Sequence, residues 1–220
     1  MHQIRIGKDL RDRNREIAAE NREHLRAHGI VALNLMSAPG AGKTSLLVRA
    51  IPLLSKRHAV GVIEGDIQTT TDAERVGAIG VPVYQIQTGG VCHLDAAMVH
   101  SALHRLDLES IDLLLIENVG NLVCPAEFDL GEDARVMLLS VSEGDDKPKK
   151  YPLMFHEAQL LVLNKIDLLP HVTFDLEKAR RESREIQPRL DIIELSCATG
   201  EGLDRFADWI DRFVERARSR

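Results

Sequence analysis

The stretch IVALNLMSAPGAGKTS at positions 30–45 decides the fold. Ile30, Val31, Leu33, Leu35 and Met36 form a short apolar run bounded by turn residues, the pattern of a buried strand. Pro39, Gly40 and Gly42 then force a tight loop, and Leu46, Leu47, Ala50 and Ile51 begin a helical spacing. A strand, a glycine-rich loop and Gly42-Lys43-Thr44 at a helix start make a P-loop, the turn that cradles phosphate. Glycine lets backbone N–H groups approach phosphate oxygens with no Cβ in the way. The helix N-terminus adds donors and positive potential. Pro39, Gly40, Ala41, Gly42, Lys43, Thr44 and Ser45 are therefore candidate nucleotide-binding residues. Lys43 supplies charge to the outer phosphates, and the hydroxyl of Thr44 is placed to ligate Mg²⁺. Ser37 stands where this motif usually has its first glycine, a departure that a short serine tolerates.

A chain of 220 residues suits one domain with a small appendage. A net charge of −6 argues against a nucleic-acid face. No apolar run reaches membrane-spanning length and no signal peptide opens the sequence, so neither nucleic acid nor membrane is an expected partner. Three cysteines, odd in number and widely spaced, do not read as a disulfide framework, and a cytoplasmic setting is the simplest expectation.

On either side of the P-loop the sequence alternates strands with helices. Residues 8–28 form a charged helix with a thin apolar stripe of Leu10, Ile17 and Leu25, expected to lie solvated against the domain. Pro52 falls inside the helix after the P-loop and predicts a kink or a break. A strand over 60–64 ends in Gly65-Asp66, where Asp66 is a candidate Mg²⁺ partner through water. The polar loop 68–75 has the composition of a nucleotide-sensing switch; its Asp72 either orients the attacking water or caps a helix. Further strands are predicted at 81–86, 111–116, 134–141, 160–163 and 192–195. Helices follow at about 93–106, 175–186 and 203–217, and 147–150 reads as a basic, solvated loop in which Lys147, Lys149 or Lys150 would touch phosphate only on the more speculative reading. Glu117, ending the most apolar strand, matches the Walker B position that holds Mg²⁺, and Gly120 sits where a backbone N–H would sense a γ-phosphate. The expected architecture is α/β, a doubly wound, mostly parallel sheet with helices on both faces and an N-terminal helix appended.

The tetrapeptide NKID at 164–167 selects the base. The carboxylate of Asp167 can accept from both guanine N1–H and the exocyclic amine, a pair that adenine lacks. Asn164 would tie loops together, and the stem of Lys165 would cover the base. Ser196, Cys197 and Ala198 form a strand-end loop suited to donating a backbone N–H to the guanine oxygen. Cys92 and His93, with Cys124 further on, are thiolate and imidazole donors of the kind that nickel and zinc prefer. From spacing alone they read as buried thiols and a surface histidine. His100 and His104, one turn apart, read as helix residues packed beside Leu94, Met98 and Leu103.

These segments together resemble a P-loop GTPase. SAPGAGKT, EGDIQTTTDAERV, GGVCHLD, LLIENVGNLVCPAEFDLGE and NKIDLLP resemble the HypB family of hydrogenase nickel-incorporation GTPases, over about 33–202. The resemblance implies a GTPase domain over 30–220 behind a helical extension at 1–29. It implies GTP and Mg²⁺ as cofactors, with nucleotide or Mg²⁺ roles for Lys43, Thr44, Asp66, Glu117 and Asp167 and a water-activating role for Asp72. It also implies a nickel or zinc site at Cys92, His93 and Cys124, and a homodimer formed on GTP binding. A zinc-bearing accessory partner like HypA, and a hydrogenase large subunit as destination, follow in the same way. The alternatives are a urease-type nickel accessory GTPase and a small-molecule kinase on the same P-loop; the first carries Cys-Pro-His where this chain has adjacent Cys92-His93.

Overall fold

The computed structural model describes residues 6–66 and 71–219, with side chains from Leu10 onward. The first helix, α1, covers Ile6–Ala27 and leads into β1, Val31–Ser37. The P-loop opens α2, Lys43–Leu54, followed by β2, Val60–Asp66, α3, Thr71–Gly77, and β3, Val83–Gln87. Then come α4, Ala96–Leu103, β4, Leu113–Glu117, and β5, Ala134–Ser140. Two short helices, α5 at Lys147–Lys150 and α6 at Pro152–His156, precede β6, Leu160–Asn164. The chain continues through α7, Leu176–Ile186, and β7, Asp191–Glu194, to α8, Leu203–Arg218.

The seven strands pair in parallel in the order β3-β2-β4-β1-β5-β6-β7. From β1 the chain runs out to β2 and β3 on one side, returns to insert β4 beside β1, and then crosses over to build β5, β6 and β7 on the other, so the carboxyl end of β1 opens onto the crevice where such sheets take ligands. The side chains of β1 alternate between two cores. Val31, Leu33 and Leu35 pack with α2 and α8, while Ile30 and Ala32 join the layer that includes α1 and α4. Met36 joins the neighbouring cluster under α6 and α7.

Several expectations change. Pro52 sits in the last turn of α2 without dividing it. The third strand begins after Pro82, whose missing N–H cannot join a ladder, although its carbonyl still accepts from Val62. The helix expected to run to about 106 ends at Leu103, with His104 as its C-cap. The basic segment 147–150 is a helical turn, with Lys149 paired to Glu182 at 2.9 Å and Lys150 paired to Asp146. Residues 68–70 of the expected switch lie outside the described residues.

The docking of α1 differs most from its sequence pattern. Leu10 is exposed, and the contact is made by Ala18, Leu25 and two buried asparagines. Asn21 donates to the carbonyls of Ala96 and Leu130, both at 2.9 Å. Asn14 donates to the Asp129 carbonyl at 2.7 Å and accepts from the Ala96 N–H at 2.8 Å. Each bond covers a backbone group that the docked helix would otherwise seal from water. Asn21→Ala should therefore lower unfolding free energy by about 1–3 kcal/mol, the cost of taking this donor from the Leu130 carbonyl and a second donor from the Ala96 carbonyl, as measured by urea melts. An unchanged midpoint would remove these bonds from the account.

Candidate functional site

Gly42 is the N-cap of α2 and holds a φ of 104°. A Cβ there would lie 2.6 Å from Asn164 Nδ2, so both backbone conformation and space require glycine. Lys43 is buried, and its Nζ donates to Ser37 Oγ at 3.1 Å. Ser37 in turn donates to the Ala38 carbonyl at 2.6 Å. The serine that departs from the usual motif thus steadies the lysine across the loop. Beyond it opens a cleft of about 430 Å³ whose lining includes Gly40, Lys43, Thr44, Asp66, Asp72 and Gly120.

Thr44 Oγ1 donates to Glu117 Oε1 at 2.8 Å. In the register of β2 and β4, Glu64 stands beside Glu117. Oxygens of Glu64, Asp72 and Glu117 lie within 4.8 Å of one another. Burial, then the charge of Glu117, pushes the Glu64 carboxyl well above its ordinary value. Burial likewise pushes Glu117 up, against the pull of Lys43 and Thr44. One oxygen of each, Oε2 of Glu64 and Oε2 of Glu117, is buried without a hydrogen-bond partner. Two orphaned carboxylate oxygens beside a hydroxyl form an all-oxygen donor set, which suits a hard cation such as Mg²⁺. Asp66 lines the same cleft two residues further along β2. Asp72 also accepts from Arg75 at 3.0 Å, and Arg75 reaches Ser45 Oγ at 3.5 Å. Glu64 and Arg75 were not among the residues singled out by sequence. The signal for Glu64 is its two-residue spacing from Asp66, which puts both on one face of β2.

On the other side of the P-loop, Asn164 joins three segments. It donates to the Ala41 carbonyl at 2.8 Å and accepts from the N–H of Lys165 at 2.7 Å and of Cys197 at 3.4 Å. Lys165 is the one non-glycine residue with positive φ among those described, at 63°, and its Nζ donates to the Gly40 carbonyl at 2.8 Å. Ser196 Oγ accepts from the Ala198 and Thr199 N–H groups and donates to Asp167 Oδ1. That holds one oxygen of the Asp167 carboxylate and leaves Oδ2 for a ligand. Burial pushes the Cys197 thiol up to about 11, so it sits in this loop as a neutral thiol.

The thiol and imidazole donors also converge. Ligand atoms of Cys92, His93 and Cys124 lie within 4.8 Å of one another, with the two sulfurs 3.3 Å apart. His93 stacks on Phe128, and burial lowers its pKa, which favours the neutral ring that binds metal. The loop after β4 touches both centres. A Cβ on Gly120 would lie 2.8 Å from Pro39 Cα. The Asn121 N–H donates to the Ser37 carbonyl at 2.8 Å, and its side chain donates to the Cys92 carbonyl at 3.3 Å and accepts from the Val123 N–H at 2.8 Å. Behind it, Asn118 Oδ1 accepts from the Leu94 N–H at 3.1 Å, anchoring the segment that follows His93.

Comparison with known proteins gives one consistent picture. The family model described as "CobW/HypB/UreG, nucleotide-binding domain" matches residues 31–194. A hydrogenase maturation factor HypB from Azotobacter vinelandii is 54% identical over 209 residues, covering 95% of this chain and 69% of that protein. The crystal structure of hydrogenase maturation factor HypB from Archaeoglobus fulgidus superposes with a TM-score of 0.86 at 43% identity, covering 92% of this chain and 99% of that one. HypB from Helicobacter pylori, solved in complex with nickel, superposes with a TM-score of 0.89 at 37% identity, covering 94% and 97%.

The carboxylate pair gives a pH test. A carboxyl raised above its unfolded value of about 4.5 destabilises the fold as pH climbs past that value, because the folded chain must keep a proton or bury a charge. In EDTA, stability should fall from pH 6 to pH 9. Glu64→Gln should flatten that slope and add roughly 1–2 kcal/mol at pH 8. Identical slopes for the two proteins in urea melts would refute the assignment.

Proposed function

The chain belongs to the CobW/HypB/UreG family, as a hydrogenase maturation factor of the HypB type, and on that premise we propose that it is a Mg²⁺-dependent GTPase whose turnover governs the handling of a nickel cargo. Zinc is the alternative cargo. Cys92, His93 and Cys124 hold the ion. One chain offers three ligands, so water or a second copy supplies the fourth, which fits a homodimer formed on GTP binding. A HypA-like accessory protein and a hydrogenase large subunit are the proposed partners.

Each residue has a task in this reading. Asp167, with one oxygen held by Ser196, presents the other to guanine; a kinase using ATP would have no use for it. Lys43 and the P-loop N–H groups grip the outer phosphates. Thr44 and Glu117 would hold Mg²⁺, with Glu64 and Asp66 at its edge; the ion, when bound, offsets charge on the phosphates. Asp72 orients the attacking water, and the Gly120 N–H senses the γ-phosphate.

One observation carries the proposal: the segment from Glu117 to Cys124 serves both centres. Asn121 hydrogen-bonds the end of β1 through its backbone and the Cys92 carbonyl through its side chain. A nucleotide that shifts this loop acts on Cys124 along the chain and on the Cys92 segment through Asn121. Such a shift requires different affinities for the two loop states. Nickel affinity measured by equilibrium dialysis should therefore differ by at least about fivefold between GDP and a non-hydrolysable GTP analogue, within the usual range of coupling energies. Asn121→Ala should shrink the difference while leaving nickel binding by the GDP form intact. Equal affinities in both nucleotide states would exclude the coupling.

The base assignment is checked separately. Asp167→Asn should lose GTP binding by more than about a hundredfold and gain xanthosine nucleotides, since the amide donates where the carboxylate accepted. Wild-type binding of ATP as tight as GTP would overturn it.

A further inference from the structure

Four imidazoles meet on the seam between α1 and α4, away from the centres described above. His24 lies in the last turn of α1 and His28 just beyond it. His100 lies in the last turn of α4, and His104 caps that helix. Ring centroids follow one another at 4.9 Å from His28 to His24, 5.3 Å from His24 to His104 and 4.7 Å from His104 to His100. The sequence holds two pairs at four-residue spacing, His24 with His28 and His100 with His104, and the docking of α1 brings them together.

The hydrogen bonds determine which nitrogens carry lone pairs. Both amide hydrogens of the buried Asn21 are committed to the carbonyls of Ala96 and Leu130. Its oxygen, 2.9 Å from His100 Nδ1, can therefore only accept, so His100 is protonated at Nδ1 and its Nε2 presents a lone pair. His28 is held in the same way, with Nδ1 2.9 Å from the His24 carbonyl. A ring N–H fixed by an amide or carbonyl oxygen, with the other nitrogen turned outward, is how metal-bound histidines are oriented. His104 Nε2 lies 3.1 Å from His100 Nε2. Two ligands at about 2.0–2.1 Å from one ion stand roughly 2.9–3.4 Å apart, so this spacing suits a shared ion. In the ion-free form His104 donates its Nε2 proton to His100; with an ion bound, the proton of His104 resides on Nδ1.

We propose that His100 and His104 form a two-imidazole metal site at the opposite end of α4 from Cys92 and His93, with water in the remaining coordination positions and the His24 ring packed beside His104. An all-imidazole donor set takes borderline divalent ions such as nickel or zinc and discriminates against Mg²⁺. His28, with Glu109 3.6 Å from its Nε2, stands at the edge of the site. The site depends on neither thiolate nor nucleotide, so it stands whether or not the thiol centre binds nickel.

The test uses the full chain carrying Cys92→Ser and Cys124→Ser. Titrated separately with Ni²⁺ and Zn²⁺ by calorimetry, it should still bind one ion per chain. Adding His100→Gln and His104→Ala should weaken that binding at least about tenfold. Nickel should raise the melting temperature of the cysteine-free chain, and His104→Ala, a change at an exposed position, should abolish that rise. His156→Ala and His171→Ala, both at exposed positions, should leave the affinity as it was. In NMR spectra Zn²⁺ should move the ring signals of His100 and His104 and leave those of His156 and His171 in place. Full retention of affinity in the His100 and His104 variants, or no binding in the cysteine-free chain, would overturn the proposal.

Discussion

Glu64 and Glu117 face the same side of adjacent strands, in register and almost wholly buried. Two carboxylates so placed cannot both ionise without a nearby positive charge. Lys43 supplies part of it, and the hydroxyl of Thr44 occupies one oxygen of Glu117, yet each carboxylate keeps an unpartnered oxygen. The parallel register of β2 with β4 imposes this arrangement, and the register is set by apolar side chains below it, from Val60 and Val62 to Leu113 and Leu115. The hydrophobic core thus holds an unfavourable electrostatic arrangement in place. Such a pair keeps a proton in place of a second charge, and a cation bound between the two carboxyls would favour its loss.

The same economy of position appears in the loop beyond Glu117. Three residues separate Gly120, packed on Pro39, from Cys124, in contact with Cys92. Asn121 and Asn118 use their side chains to tie that loop to the segment that carries Cys92 and His93. Neither asparagine interacts through bulk. Their bonds are directional, so a displacement of about an ångström breaks a bond rather than merely loosening a packing contact. This gives the connection between the two centres a discrete character, which gradual deformation of an apolar contact would not.

Much of this was legible in the sequence because the deciding signals are local. The P-loop, the strand-end Glu117, NKID and the run of alternating strands and helices depend on residues within a few positions of one another. What was not legible depends on pairing. Glu64 became a partner of Glu117 only once β2 was known to lie beside β4, and the sequence reading favoured Asp66, which lies further out. The helical turn at Lys147–Lys150 read as a solvated basic loop because its contact with Glu182 on α7 is remote in sequence. The thin apolar stripe of α1 suggested a loosely held helix, whereas Asn14 and Asn21 dock it through backbone groups, a mode that hydrophobic periodicity cannot register.

Polar docking of α1 also explains why its surface can carry chemistry. Apolar packing by Leu and Ile fixes a helix by shape and does not select which polar atom faces a neighbour. Asn21 makes that selection. Its donors are fixed by two carbonyls from different segments, and its oxygen is thereby aimed at one nitrogen of His100. The bonds that hold the helix therefore set the tautomer of a histidine on its neighbour. Replacing Asn21 by an apolar residue of similar size would remove that constraint even where the helix stayed docked, because no hydrocarbon can dictate which ring nitrogen bears the proton.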